Sequence, residues 1–169
     1  MTRCVVDTNV PIVANGRPDP KDARPPSVDC RVAAIVFLQN ILKSGRILVD
    51  LAGEIQGEYR RYLNARGQPG VGDRFYLEVL RSEPQRIERI ELPRRADGEY
   101  VDLPQALIDA EFDPSDRKFA ALARRENVPV ANATDSDWLN HRSTLEANGI
   151  AVNFLCGCDR RVWFEGEGR

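Results

Sequence analysis

Short apolar runs alternate along the chain with longer segments in which apolar residues recur every three or four positions. The runs predict buried strands over residues 4–6, 47–49, 128–131 and 150–155, and a further strand or hairpin over 87–92. The periodic segments predict helices over 27–44, 51–66, 73–82, 103–110 and 137–148 and from 116 onward, with Ser27 capping the first and Gly45 ending it. This alternation predicts an α/β domain with a parallel sheet.

Two segments interrupt the alternation. Residues 11–26 are rich in proline and predict a loop with at most a turn of helix, and residues 67–72 predict a tight loop. The second segment lacks the spacing of a phosphate-binding loop. Neither segment shows a function in its sequence.

Acidic residues recur where predicted strands end or helices begin. Asp7 follows the first strand, Asp116 lies in the first turn of a helix, and Asp135 follows a later strand. Glu54 and Glu58 are four residues apart and therefore share one helical face. Because the carboxyl ends of parallel strands meet at one edge of a sheet, we expect these acids to converge there. The alternatives are helix capping for the aspartates and surface ion pairs with arginines for the glutamates.

A group of converging carboxylates predicts a metal site. Four carboxylates within several ångströms would repel one another, and one or two Mg²⁺ or Mn²⁺ ions would neutralise them. Oxygen ligands argue against zinc, for which the lone Cys-x-Cys at 156–158 is weak support. The predicted catalytic and metal-binding residues are Asp7, Glu58, Asp116 and Asp135, with Asp137 as a further ligand. The predicted supporting residues are Asn9 and Thr134, which with Asp137 would orient ligands or water, and Glu54, which is the alternative to Glu58 as the glutamate of the site.

Composition narrows the class of protein. The 169 residues are 42% hydrophobic and 30% charged, which predicts one soluble domain over residues 1–169. No apolar run approaches ~20 residues, so we expect a cytoplasmic protein without a membrane span. The four cysteines are too scattered for a disulfide framework and are expected to be reduced thiols, and the single histidine, His141, is expected at a solvated helix position.

The basic residues suggest a binding partner although the net charge is −2. Most of the 24 basic residues are arginines, whose planar side chains suit phosphate contacts. The predicted contacts to an RNA backbone are Arg60, Arg61, Arg117 and Lys118, which flank the acidic segments.

Four motifs, in this order, resemble those of the PIN domain family. They are Val-Val-Asp7-Thr-Asn9-Val, the segment 51–59 with Glu54 and Glu58, Asp113-Pro-Ser-Asp116, and Ala-Thr134-Asp135-Ser-Asp137-Trp. Within the second motif we favour Glu58 because Tyr59 follows it. The resemblance spans nearly all of the chain, but it does not account for the proline-rich loop or for residues 67–111.

The resemblance implies a three-layer α/β/α fold with a central parallel sheet of four to five strands. It also implies metal-dependent cleavage of RNA, as in the toxin nucleases of toxin–antitoxin pairs and in RNA-processing enzymes. The expected partners are therefore RNA, a cognate antitoxin protein and a second copy of the chain. The alternatives are a non-catalytic RNA-binding or protein-binding module on the same fold and, less favoured, a phosphatase, for which Asn9 stands where a second proton-transferring acid is needed.

Overall fold

A computed structural model describes residues 1–166, and the last three residues of the predicted domain, 167–169, lie outside this description. Five parallel strands form one sheet in the order β3-β2-β1-β4-β5. The strands are β1 (Arg3–Val6), β2 (Arg46–Asp50), β3 (Ile87–Ile90), β4 (Val130–Asn132) and β5 (Val152–Phe154). The predicted parallel sheet is therefore confirmed.

Eight helices flank the sheet in the described part of the chain and complete a three-layer α/β/α fold. They are α1 (Asn9–Ala14), α2 (Val28–Ser44), α3 (Glu54–Tyr62), α4 (Val71–Arg81), α5 (Gln105–Asp109), α6 (Arg117–Glu126), α7 (Ser136–Asn140) and α8 (Arg142–Ala147). Helices α1, α2 and α4 pack against one another, whereas α3 and α6 pack together beside β1 and β2. Among the described residues, no helix is long and apolar enough to cross a membrane.

The order of the strands determines where a ligand can bind. The chain builds the sheet outward from β1, first through β2 and β3 on one side and then through β4 and β5 on the other. Val5 of β1 lies opposite Val130 of β4 in the parallel register. In open α/β sheets, the crevice at the carboxyl ends of such a strand pair is the usual ligand site.

Local signals explain most of the helix boundaries. The Ser27 hydroxyl accepts a hydrogen bond from the Cys30 N–H at 3.1 Å and α2 ends before Gly45, as predicted. Helix α6 buries six consecutive residues, 118–123, because it lies against three strands.

Two predicted helix boundaries were wrong. Helix α3 ends at Tyr62 rather than at residue 66, because Leu63 adopts an extended backbone. The helix predicted up to residue 148 is divided at His141 into α7 and α8. In the proline-rich segment, the single turn of helix that the prediction allowed is the end of α1, which includes Pro11; proline is tolerated in a first turn because N–H groups there need no helical partner.

Residues 67–111, for which the resemblance does not account, supply α4, β3 and α5 and are therefore part of the fold. Strand β3 pairs with β2 over four residues and forms one edge of the sheet. Gly72 in α4 approaches α1 so closely that a Cβ there would lie 1.9 Å from the Pro11 carbonyl oxygen. Gly72 thus permits the close packing of α4 against α1.

The expectation of four reduced thiols was wrong for Cys30 and Cys156, which form a disulfide. The two cysteines are 126 residues apart in sequence, but α2 begins beside the end of β5. The carboxyl-terminal segment continues this contact, since Ser27 N–H donates to the Trp163 carbonyl at 2.8 Å. Cys4 is a buried free thiol and Cys158 an exposed one.

Candidate metal centre

Three aspartates meet at the carboxyl edge of the sheet. Asp7 directly follows β1, Asp116 ends a short 3-10 turn before α6, and Asp135 follows β4 as the cap of α7. One carboxylate oxygen from each residue lies within 4.8 Å of the others, and the three residues are only 3%, 2% and 4% exposed. The predicted convergence of these three acids is therefore confirmed.

Hydrogen bonds from neighbouring residues orient two members of the trio, Asp7 and Asp135. Asp7 accepts from the indole N–H of Trp138 through Oδ2 and from the Asn9 N–H, at 3.3 Å, through Oδ1. Asp135 Oδ1 accepts from the Asp137 N–H at 3.0 Å and so caps α7. These bonds leave lone pairs on the carboxylate oxygens that a cation can use.

Asn9 joins the ends of the two central strands. Its side-chain oxygen accepts from the N–H groups of Ala133 at 2.7 Å and Thr134 at 3.0 Å, and its amide donates to Asn132 Oδ1 at 2.9 Å. Asn9 thus holds the turn that carries Asp135. The Thr134 hydroxyl oxygen is buried and has no hydrogen-bond partner among residues 1–166.

The structure distinguishes the two candidate glutamates. Glu58 lines the same cavity as the trio, where it accepts from the Thr8 hydroxyl and, at 2.9 Å, from the Lys118 ammonium. Glu54 instead pairs with Arg94 and accepts from the Tyr100 hydroxyl at 2.9 Å. Of the two glutamates, Glu58 therefore lines the cavity of the trio, although its oxygens fall outside the close group formed by the three aspartates.

Asp137 has a supporting position. Its Oδ2 accepts from the Asp113 N–H at 2.9 Å, and its Oδ1 lies 3.1 Å from Nδ1 of His141. It therefore links the turn before α6 to α7, and the structure does not bring it into the close group with Asp7. His141 is not the solvated residue that was expected, since its ring also meets the Ala110 carbonyl at 3.1 Å.

The four predicted RNA contacts divide into two classes. Lys118 is buried against Glu58, and Arg117 donates to the Phe112 carbonyl at 3.0 Å. Arg60 and Arg61 are exposed on α3, and Arg61 lines the cavity. Of the four predicted contacts, only Arg60 and Arg61 have exposed side chains that an external phosphate could reach.

The proline-rich loop contributes residues that the sequence analysis missed. Lys21 Nζ lies 2.9 Å from Asp116 Oδ2, 2.8 Å from Asp135 Oδ2 and 3.0 Å from Asp113 Oδ2. Asp19 is 5% exposed, and its Oδ1 accepts from the Lys21 N–H at 3.0 Å. Asp19 Oδ2 is buried without a hydrogen-bond partner among residues 1–166. Only the place of this loop in the chain could have indicated these residues. The loop follows β1 and the short helix α1, which begins at the sheet edge where the acids meet.

The electrostatics favour a bound cation. Burial, with repulsion from Asp135 and Glu58, raises the pKa of Asp7 to about 7 despite the nearby Lys21. Burial and repulsion from Asp7 raise the pKa of Asp116 above its ordinary value, and burial raises that of Asp19 to about 6. Burial alone would lower the pKa of Lys21, but the two carboxylates beside it raise it, so the ammonium stays charged.

These side chains surround a cavity of about 120 Å³, large enough for a hydrated ion. Its walls carry carboxylates from β1, β4, α3, the turn before α6 and the proline-rich loop. The acidic residues that line it are Asp7, Asp19, Glu58, Asp116 and Asp135. The buried aspartate group could therefore bind a metal ion.

Comparison of the chain with protein-family models, with curated proteins and with solved structures found no match. The resemblance to the PIN domain family thus stays a prediction from the motifs.

Proposed function

We propose that the protein is a metal-dependent ribonuclease with a PIN-like fold, which hydrolyses RNA phosphodiester bonds at the acidic centre. The observation that carries the proposal is the buried group of Asp7, Asp116 and Asp135, whose oxygens lie within 4.8 Å of one another. Structural aspartates are seldom buried unless they are paired or bind metal. The position at the carboxyl edge between β1 and β4 is also where α/β enzymes bind their ligands.

The donor set fits Mg²⁺ or Mn²⁺. Asp7, Asp116 and Asp135 would hold the ion through hard carboxylate oxygens, with Glu58 on the same cavity wall. The raised pKa values of Asp7 and Asp116 mark repulsion that a doubly charged cation relieves. When bound, the ion would supply activation of water and neutralisation of charge on the phosphate.

The protein's own side chains orient this chemistry. Trp138 fixes Asp7 through the indole N–H, and Asn9 fixes the turn that carries Asp135. Lys118 holds Glu58 at 2.9 Å and keeps its carboxylate directed into the cavity. Such supporting bonds keep ligands in a productive arrangement and reduce the reorganisation needed during the reaction.

An RNA backbone would approach across α3. Arg61 and Tyr62 are exposed residues that also line the cavity, and Arg60 is exposed beside them. Arginine side chains neutralise phosphates, so binding should weaken as salt increases. Within this proposal, the protein is the toxin of a toxin–antitoxin pair. An adjacent reading frame encoding a small protein that inhibits the RNA cleavage would support that role.

Incubation with labelled single-stranded RNA tests the activity. Cleavage is expected with Mg²⁺ or Mn²⁺ and is expected to disappear with a chelator and in Asp7→Asn and Asp116→Asn, which preserve side-chain shape. Asp109→Asn is the matched control, because Asp109 is an exposed aspartate of α5. Products that persist in Asp7→Asn, with protein of equal purity and folding, would remove Asp7 from the reaction.

The second candidate is a non-catalytic binding module on this fold. The observation that favours it is that Lys21 and Lys118 already pair with carboxylates of the centre, which reduces the need for a metal. In the same assay, RNA that is retained by the protein without metal-dependent products would favour this module over the nuclease.

A further inference from the structure

We propose that Lys21 supplies one of two cationic positions in the acidic centre, so that the protein binds a single divalent ion beside a built-in ammonium group. This inference rests on the proposed metal site. The carboxylate motifs alone permit one or two ions, and this inference predicts one.

The Lys21 ammonium has the surroundings of a coordinated cation. It has three N–H donors, and three different carboxylates lie 2.8 to 3.0 Å from Nζ. Two of these carboxylates, Asp116 and Asp135, belong to the buried trio. The ammonium therefore already contacts the Oδ2 atoms of both aspartates, which a second metal ion would need as ligands.

The loop holds Lys21 at this place from both ends. The loop leaves α1 at residue 15, and the Lys21 N–H donates to the buried Asp19 carboxylate at 3.0 Å. At the other end, the Glu165 N–H donates to the Pro25 carbonyl at 3.0 Å and the Trp163 carbonyl accepts from Ser27. These bonds hold the loop backbone beside the centre, and the three carboxylates hold the end of the exposed Lys21 side chain there.

The carboxylates that Lys21 does not contact supply ligands for one ion in the same cavity. The Lys118 ammonium neutralises Glu58. Together with the Lys21 ammonium it brings two positive charges to the centre, which equal the charge of one divalent ion. Asp7 and Asp19 make no ion pair within residues 1–166, and both line the cavity. Asp19 Oδ2, buried and without a partner in that range, is a further oxygen for this ion or for its water.

Direct measurement of Mn²⁺ stoichiometry tests the inference without relying on activity. Equilibrium dialysis, or the electron paramagnetic resonance signal of free Mn²⁺, gives the number of ions bound per chain. We expect one ion for the wild type and two for Lys21→Met, which removes the charge and keeps much of the side-chain length. Lys21→Gln is a second neutral variant for use if the first does not fold.

Two variants serve as controls. Lys21→Arg keeps the positive charge and is expected to bind one ion. Lys43→Met makes the same chemical change on an exposed lysine in the last turn of α2 and is also expected to bind one ion. These controls distinguish the effect of neutralising Lys21 from a general effect of removing a lysine.

Each outcome decides the inference. Two ions on the wild type, or one ion on a folded neutral variant of Lys21, would overturn it, even if that one ion bound more tightly. Binding to none of the proteins would overturn the inference together with the metal site. If the expected stoichiometries are found but no RNA is cleaved, the inference stands and the proposed nuclease function fails.

Discussion

In the metal-free protein, the difference in free energy of unfolding between Asp7→Asn and the wild type should shift in favour of the variant as the pH rises. The pKa of Asp7 is raised from 3.8 to about 7, mainly because the carboxyl is buried. A carboxyl whose pKa is raised by folding favours the folded state while it is protonated. That contribution is complete below about pH 4 and is lost as the pH rises through 7.

The magnitude follows from the difference between the two pKa values. A shift of about 3 pH units corresponds to about 4 kcal/mol, so at pH 8 the ionised Asp7 lowers the free energy of unfolding by that amount. Asparagine does not ionise and therefore avoids this cost. Its amide can accept from either Trp138 or Asn9 but not from both, which costs roughly 1–3 kcal/mol.

The hydrogen-bond cost is the same at every pH, whereas the ionisation cost is not. Between pH 5 and pH 8, the stability difference between Asp7→Asn and the wild type should therefore shift by roughly 2–3 kcal/mol in favour of the variant. Urea unfolding in the presence of a chelator at the two pH values measures this difference. An exposed residue provides the control, since Asp109→Asn should give the same difference at both.

Two results would refute this reasoning. An Asp7→Asn difference that does not change with pH would mean that Asp7 is not electrostatically strained in the folded protein. Equal stabilisation of the wild type and the variant by Mn²⁺ would mean that the ion does not use Asp7. We expect instead that Mn²⁺ at 100 times its Kd adds about 2.7 kcal/mol to the wild type and clearly less to the variant.

Four further substitutions, one of them a matched control, test the fold around the site. Gly72→Ala should lower the free energy of unfolding by about 3 kcal/mol or more, since its Cβ would lie 1.9 Å from a carbonyl oxygen. Gly57→Ala is the control, because its Cβ would meet no described atom within 4 Å outside its own helix backbone. This change should raise the free energy of unfolding by about 0.5–1 kcal/mol in the same urea titration. Cys30→Ala, which breaks the bond to Cys156, should cost roughly 2–4 kcal/mol more in non-reducing buffer than in reductant, where only the packing of the buried thiol is lost. Asn9→Ala leaves two N–H groups after β4 unpaired and should cost roughly 2–4 kcal/mol and weaken Mn²⁺ binding at least about tenfold in dialysis.

The sequence by itself determined the local elements and the acids placed at their ends. Apolar runs and helical periodicity depend on neighbours a few residues away, so the strands and the Ser27 cap could be predicted from them. The rule that parallel strands present their carboxyl ends at one edge predicted that Asp7 and Asp135 meet, and the helix-start signal at residues 113–116 added Asp116 to them.

Only the tertiary structure decided which segments meet. The strand order places β1 beside β4, and the approach of α2 to the end of β5 brings Cys30 to Cys156. The choice of Glu58 over Glu54 and the position of Lys21 likewise depend on where long side chains reach across the edge of the sheet. Such contacts join residues up to 126 positions apart, and no short-range pattern in the chain encodes them.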